Sequence, residues 1–255
     1  MTVLRTRAWS TGVAGLAAFA AVASVEARAS ACGASPGGPL GHSMCGLDDG
    51  PLTHRFRGAM SYSYSATRLS FGDGLKFDTQ RQSTIASFDY RLDKKTSLTF
   101  GAGGLLAGSL EGAEKFEFSG GPVGLVGYSV SLAREARWVP FAVLTIAGSF
   151  VHASTRASVV TSPFAQSVGY TALDARAGLL VGKTLLDPLS VYAAGRLFGG
   201  PAFWRVDGDS KIGTDIYHYQ VGAGFLLRLP AGLELFFEGV PLGERGVVAG
   251  LGLTP

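Results

Sequence analysis

Charge is scarce in this sequence of 255 residues. Only 16% of the residues are Asp, Glu, Lys or Arg, against about 25% in a typical globular domain, while 47% are hydrophobic. After the first 30 residues, no run stays apolar for the roughly 18 residues that a membrane helix needs. The net charge of +3 is too small and too dispersed to indicate a nucleic-acid partner. The sequence therefore predicts either a very apolar soluble β protein or a β-barrel that spans a membrane.

Cysteine is almost absent, since Cys32 and Cys45 are the two in the chain. They lie close together in a Gly/Pro-rich segment over residues 30–52. In an exported protein, two nearby cysteines most simply form one disulfide that closes a small loop. A metal site that adds His42 is the alternative, but the spacing matches no zinc motif. We predict a Cys32–Cys45 disulfide, no metal site and no cofactor.

The N-terminus has the features of a secretory signal peptide. Arg5 and Arg7 precede an Ala-rich apolar run over residues 11–25, and small residues then stand at −3 and −1 of a cleavage site before Ser30. We therefore predict that residues 1–29 are a cleaved signal peptide. Two alternatives stay open: the run is retained as a membrane anchor, or lipoprotein processing leaves the first cysteine at the N-terminus.

From about residue 54 the sequence divides into short runs in which apolar and polar residues alternate. Because side chains alternate across a strand, each run presents one apolar face and one small or polar face. In the clearest run, residues 216–229, Tyr219, Val221 and Phe225 oppose Gln220. Ten strands are predicted: 54–66, 84–92, 96–108, 116–132, 138–153, 168–183, 188–198, 216–229, 232–240 and 245–253.

The connections favour a membrane barrel over a soluble sandwich. Short links alternate with longer loops over residues 67–83, 154–167 and 199–215, as in outer-membrane barrels, and this places both termini in the periplasm. The polar face is rich in Gly rather than in Lys and Glu, which suits a narrow lumen. The prediction is an all-β fold, an antiparallel up-and-down transmembrane β-barrel of about ten strands, with eight possible, over residues 53–255.

Aromatic residues often fall near the presumed strand ends, where interfacial girdles require amphipathic rings. They are Tyr62, Tyr64, Phe88, Tyr90, Tyr128, Trp138, Tyr192, Trp204, Tyr217 and Tyr219. Ordinary aromatic enrichment in strands is the alternative explanation for some of them.

The face assigned to the lumen collects ten charged residues. They are Arg55, Arg57, Asp89, Arg91, Asp174, Arg176, Arg196, Arg228, Glu234 and Glu238. Buried charges must be paired, and a barrel of about eight strands is just wide enough for side chains to fill. We interpret the set as a lumen charge network that fills the barrel. The alternative is a narrow channel for small solutes through a charged lumen.

Candidate catalytic residues are few. The histidines are His42, His54, His152 and His218. The triplet at 152–154 is similar to the His-x-Ser arrangement of outer-membrane lipid A deacylases, with Thr155 in place of the Asn that follows there. Asp215 and His218 resemble part of an omptin-type protease site, but the acidic pairs on other strands are missing. No catalytic residue is assigned, and a lipid-modifying hydrolase using His152 and Ser154 stays an alternative.

The architecture over residues 54–255 resembles the small Gram-negative outer-membrane β-barrel proteins, the opacity-like and OmpA-like barrels. The resemblance implies a non-enzymatic protein that contributes to the envelope or presents surface loops. Outer-membrane lipid and the barrel assembly machinery are its implied partners. Such barrels usually end in an aromatic residue, whereas this sequence ends in Leu253-Thr254-Pro255. A soluble periplasmic β protein is the structural alternative.

Overall fold

A computed structural model describes residues 30–35, 42–48, 55–157, 168–186, 188–206 and 209–254. Side chains are described from residue 55 onward within these ranges, except at residues 73 and 206. The predicted signal peptide over residues 1–29 and the side chains of Cys32 and Cys45 lie outside the described part. No helix of the described residues is long and apolar enough to cross a membrane.

The described residues form fifteen strands and two short 3₁₀ turns, Gly72–Gly74 and Pro230–Gly232. The strands are β1 Ser30–Ser35, β2 His42–Asp48, β3 Phe56–Phe71, β4 Lys76–Arg91, β5 Thr96–Glu111, β6 Lys115–Phe118, β7 Gly121–Ala133, β8 Phe141–Ala157, β9 Val168–Leu186, β10 Leu189–Gly199, β11 Pro201–Val206, β12 Asp209–Asp215, β13 Tyr219–Arg228, β14 Leu233–Gly243 and β15 Arg245–Leu253.

Ten of these strands close into an antiparallel ring. The order is β3, β4, β5, β7, β8, β9, β10, β13, β14 and β15, and β15 pairs back onto β3 with Leu251 opposite Met60. The strands follow one another around the ring in chain order, so the topology is up-and-down. The predicted antiparallel barrel of about ten strands is confirmed. Phe56 and Leu253 lie at the same end, which we call the terminal end; the opposite end is the loop end.

The ring narrows from ten to eight strands at the loop end. Because β14 and β15 turn back at Glu244, β12 pairs directly with β3 beyond them, with Asp215 opposite Leu69 and Gly213 opposite Phe71. The eight strands of this smaller ring, the loop-end barrel, are β3, β4, β5, β6, β8, β9, β11 and β12. Both strand counts that the sequence allowed are therefore present, at different heights.

The outer face of the ten-stranded ring is apolar around its circumference. Exposed residues on it include Phe56, Met60, Phe88, Phe100, Val126, Ile146, Leu179, Leu197, Val221, Phe225, Phe237 and Leu251. On β3 the apolar outward positions run from Phe56 to Ala66. At a strand rise of about 3.4 Å and a tilt of about 40°, that run is about 27 Å tall, close to the ~25 Å apolar band of outer-membrane barrels. Soluble monomers rarely expose a contiguous apolar patch above a few hundred Å².

The loop-end barrel has the reverse polarity. Arg68 on β3 and Asp78 on β4 point outward, while Phe71 and Phe77 are buried inside. Trp204 fills the centre, with its ring centroid 5.6 Å from that of Phe71 and 5.1 Å from that of Phe77. The loop-end barrel is thus a small hydrophobic core with a polar surface.

The indole at the centre of the loop-end barrel has a hydrogen-bond partner. The indole Nε1 of Trp204 donates a hydrogen bond to Thr155 Oγ1 at 3.0 Å. The Trp204 ring also packs edge-on against Phe116 at 4.8 Å between centroids. Burial of a tryptophan is most favourable when its N–H has a partner, so this position suits the residue.

Two predicted loops are wrong. Residues 67–83 are mostly β3 and β4, joined by a turn at 72–75, and residues 199–215 are mostly the β11–β12 hairpin. These segments are strands whose inside is apolar and whose outside is polar, so their polar residues resembled loop composition. The girdle assignment fails at Trp204 for the same reason, and at Tyr192 because that residue faces the lumen of the ten-stranded ring; both are buried.

The effect of a charged substitution on the free energy of unfolding should depend on where along the barrel axis the outward-facing residue lies. Ala223 faces outward near the middle of the apolar band on β13, and Ser210 faces outward on β12 of the loop-end barrel. Ala223→Arg should lower the free energy of unfolding by about 2–4 kcal/mol in a bilayer, because the guanidinium must enter hydrocarbon. Ser210→Arg should change it by less than about 0.5 kcal/mol.

Denaturant unfolding of both variants in liposomes measures the difference. Equal effects at the two positions would show that the band is not in lipid.

Candidate functional site

The lumen of the ten-stranded ring is filled by paired charges, beginning at the terminal end. Arg57 lies 2.9 Å from Asp89 (Nη1 to Oδ2) and 2.7 Å from Glu234 (Nε to Oε2). Thr99 Oγ1 donates to the other oxygen of Asp89 at 2.5 Å. A side chain at position 252 would collide with the Arg57 guanidinium, so Gly252 provides its space. One arginine thus connects β3, β4 and β14.

A second cluster lies midway along the lumen. Arg196 binds Glu238 through two parallel contacts of 2.5 and 2.8 Å, the fork geometry that makes Arg–carboxylate pairs strong. Tyr192 also donates its hydroxyl to Glu238, at 3.1 Å. A Cβ at Gly178 would come within 2.8 Å of Arg196 Cγ. The glycine-rich inner face therefore makes room for the arginine stems.

The third cluster surrounds Glu244, the residue at the tip of the β14–β15 hairpin. Glu244 is completely buried, with its carboxylate 3.3 Å from Arg81 Nη2 and 3.1 Å from Arg176 Nη2. Gln220 Nε2 donates to it at 2.9 Å, and Arg176 also pairs with Asp174. The short hairpin thus places a carboxylate inside the lumen, just below the loop-end barrel.

Asp215 lies on the inner face of β12, near the Glu244 cluster. It stands where β12 pairs with β3 to close the loop-end barrel, a junction that we call the seam. Its carboxylate accepts a hydrogen bond from Thr67 Oγ1 at 2.7 Å and one from the Tyr217 backbone N–H at 2.8 Å. His218 is exposed. Asp215 therefore holds the seam together, and it does not form a hydrogen-bonded pair with His218 among the contacts of the described residues.

Eight of the ten charges assigned to the lumen from sequence are buried in the barrel. They are Arg57, Asp89, Arg91, Asp174, Arg176, Arg196, Glu234 and Glu238. Arg228 is half-buried and Arg55 is exposed. Arg55 precedes β3, and its backbone carbonyl accepts a hydrogen bond from Arg91 at the rim. Its side chain therefore lies outside the filled lumen.

Sequence reasoning missed three buried charges: Arg81, Asp215 and Glu244. The first two fall in segments that were predicted as long loops, and Glu244 lies in a turn. A signal was present for Arg81, because Phe77, Thr79 and Arg81 continue the period-two pattern of β4. Glu244 had no such signal, because only the short hairpin turns it inward.

The residues of the hydrolase alternative lie on the outer face of β8. His152 is exposed, and its Nδ1 lies 2.8 Å from Thr171 Oγ1 on the neighbouring strand. The Ser154 backbone carbonyl accepts hydrogen bonds from Ser119. In this arrangement the imidazole is held by Thr171, not by the Ser154 hydroxyl that it would have to activate.

Charges on the outside of the loop-end barrel are ordinary surface pairs. Arg68 and Asp78 make two contacts, of 2.6 and 2.8 Å, with both side chains about half exposed. The hydrogen bond from Arg68 lowers the pKa of Asp78. Exposed pairs contribute little to stability, but they indicate contact with water. Among the described residues, no group of three His, Cys, Asp or Glu side chains could hold a metal ion.

The chain is similar in architecture to solved outer-membrane barrels. The translocator domain of the autotransporter NalP from Neisseria meningitidis matches with 11% identity, 82% of this chain, 91% of that chain and a TM-score of 0.43. The COG4313 outer membrane channel from Pseudomonas putida F1 matches with 12% identity, 79% and 96% coverage and a TM-score of 0.43. Ail, the attachment invasion locus protein of Yersinia pestis, matches with 17% identity, 67% and 98% coverage and a TM-score of 0.35.

No protein-family model matches the sequence, and no curated protein matches it. These likenesses concern the course of the chain, and they do not indicate what it binds.

Removing one partner of a lumen pair should cost more than removing both. Glu238→Gln leaves the Arg196 guanidinium buried without its carboxylate, and we expect a loss of about 3–5 kcal/mol in the free energy of unfolding. The double variant Arg196→Met/Glu238→Leu should lie within about 1–2 kcal/mol of the wild type, because it removes both charges. Denaturant titration in detergent micelles gives the three values. A single variant as stable as the double would contradict the pairing.

Proposed function

We propose that this chain is an outer-membrane β-barrel, exported by the signal peptide over residues 1–29, with its terminal end in the periplasm and its loop end outside the cell. The support is the apolar band around the ten-stranded ring, which has the height of a bilayer core. Short periplasmic turns and termini at that end are the usual orientation of such barrels. The natural partners are then outer-membrane lipid and the barrel assembly machinery, and nothing in the charge distribution calls for nucleic acid.

We further propose that the barrel does not conduct and that it has no catalytic role. The filled lumen is the observation against conduction, and the contact of His152 Nδ1 with Thr171 Oγ1 is the observation against a hydrolase. Three charge clusters, around Arg57, Arg196 and Glu244, follow one another along it, and beyond them the aromatic core around Trp204 occupies the loop-end barrel. A solute would have to displace buried ion pairs and then a packed hydrophobic core. Both displacements are costly.

The proposed role is to present a rigid structure at the cell surface. The loop-end barrel continues the strands beyond the apolar band, and on β3 and β4 its outer face carries Arg68, Asp78 and Lys76. Its own core makes it stiff. The outward surface is therefore a rigid frame of strands, and the connections at 72–75 and 112–114 lie at its end. This is an envelope or surface-presenting role rather than a transport role.

The membrane location has a direct test on gels. Closed barrels resist sodium dodecyl sulfate until they are heated, because their backbone hydrogen bonds are satisfied within the ring. We expect the protein to fractionate with outer membranes, to require detergent for extraction, and to migrate differently before and after boiling. Recovery as a detergent-free monomer in the periplasmic fraction would instead support the soluble alternative.

Planar bilayer recordings test the sealed lumen. We expect no single-channel steps from the wild-type protein. Denaturant titration tests the packed core of the loop-end barrel. Trp204→Ala should lower the free energy of unfolding by about 3–5 kcal/mol. Trp138→Ala should have little effect on it, because Trp138 is 85% exposed. Steps in the wild type that disappear in Arg196→Gln would support the narrow channel and contradict the sealed barrel.

A further inference from the structure

The terminal mouth of the barrel is covered, although no barrel strand covers it. In each strand, the inward residue nearest this end should face the opening of the lumen. On six strands this residue is Arg57, Arg91, Ser97, Phe141, Ser190 or Glu234, with exposed fractions from 1% for Ser97 to 6% for Arg91 and Glu234. On β9 and β13 it is Thr184 and Arg228, which are half-buried. Side chains at the open end of a tube would be accessible to water. Another part of the chain must therefore lie across the mouth.

The β1–β2 hairpin is in position to do this. Cα atoms of β2 come within 8 Å of those in β3, β4, β5 and β7, while Cα atoms of β1 come within 8 Å of those in β8, β13, β14 and β15. These strands extend around most of the ring. A hairpin on the outside of a barrel can approach only a few adjacent strands, so this one lies within the circle of strands.

The chain connection fixes the end at which the hairpin lies. Six residues, 49–54, separate β2 from Arg55 at the terminal end, and they can span at most about 25 Å. The lumen above is already filled by the Arg57 and Arg196 clusters. The hairpin therefore lies at the mouth, beneath Arg57.

The dimensions agree with this placement. Ten strands spaced about 4.8 Å apart and tilted by about 40° enclose a ring about 20 Å across between backbones. Packed sheets stand about 10 Å apart. A two-stranded hairpin therefore fits between opposite walls with one layer of side chains on either side.

We propose that strands β1 and β2 form a plug, an antiparallel pair that closes the terminal mouth of the barrel and shields the Arg57 cluster from water. The register of β1 and β2 is consistent with the predicted disulfide inside the plug. Ala31 pairs with Leu47 and Gly33 with Met44, so Cys32 lies opposite Cys45 and Gly46 in a β-bulge. Neighbouring strands lie about 4.8 Å apart, which is within the Cα–Cα range for a disulfide. A Cys32–Cys45 bond would hold the plug in its paired form.

Arginine-specific modification of the folded, full-length protein in micelles tests the plug. Phenylglyoxal should leave Arg57 and Arg91 unmodified in the wild type while it modifies the exposed Arg68, as read by peptide mass spectrometry. Ala34→Pro/Ser43→Pro removes two N–H groups from a facing pair of the hairpin, and should raise the modification rate of Arg57 and Arg91 about tenfold. The matched control Ala34→Ser/Ser43→Ala keeps both N–H groups and should behave as the wild type. Arg196, deep in the lumen, should stay unmodified in all three proteins.

Two results would overturn the plug: modification of wild-type Arg57 and Arg91 as fast as Arg68, or unchanged protection in the proline variant. Heat-dependent migration on gels checks that the proline variant is folded. If the proline variant is not folded, the photoreactive residue benzoyl-phenylalanine replaces Met44 in the otherwise unchanged chain, and its cross-links are mapped. Cross-links to peptides of β3, β4 or β5 support the plug, and their absence contradicts it.

Discussion

Closure of the sheet is the constraint on which the rest of this structure depends. A ring of antiparallel strands pairs every backbone edge, which removes the exposed edges that an open sheet would carry into lipid or water. Closure also creates an inside of fixed and small width. The side chains that alternate to that inside must fill it, and those that alternate to the outside must match whatever solvent surrounds the ring. Closure therefore fixes the surroundings of the side chains on both faces of every strand.

The filling of the lumen follows from that width. Arginines supply length and charge, and glycines such as Gly178 and Gly252 on the facing strands give them room. The guanidinium groups of Arg57 and Arg196 meet carboxylates from other strands, so these pairs connect positions far apart in sequence, such as Arg57 and Glu234. Buried pairs are weak as a source of net stability. Their consequence here is that the ring has one register and a solid interior.

The change in polarity along the strands separates two environments. Around the ten-stranded ring, apolar side chains face out and charges face in. Beyond the short β14–β15 hairpin, the ring loses two strands, Phe71, Phe77 and Trp204 turn in, and Arg68 and Asp78 turn out. The same chain thus changes from a barrel with an apolar outer face to one whose outer face carries charged residues. Glu244 lies at the transition, where the hairpin ends and its carboxylate holds Arg81 and Arg176.

The sequence by itself determined the ten strands, their up-and-down order and the two faces of most of them, because period-two alternation is a local property that survives in any antiparallel sheet. It also identified most of the charges that meet in the lumen. The predictions failed in the loop-end barrel, where the apolar residues face inward and the polar residues face outward. Its strands were predicted as loops, and Trp204 was predicted as a girdle residue. Only the tertiary structure decided which charges pair, where the ring narrows and that Glu244 points inward. Those depend on which strands become neighbours after closure, and local periodicity carries no record of that.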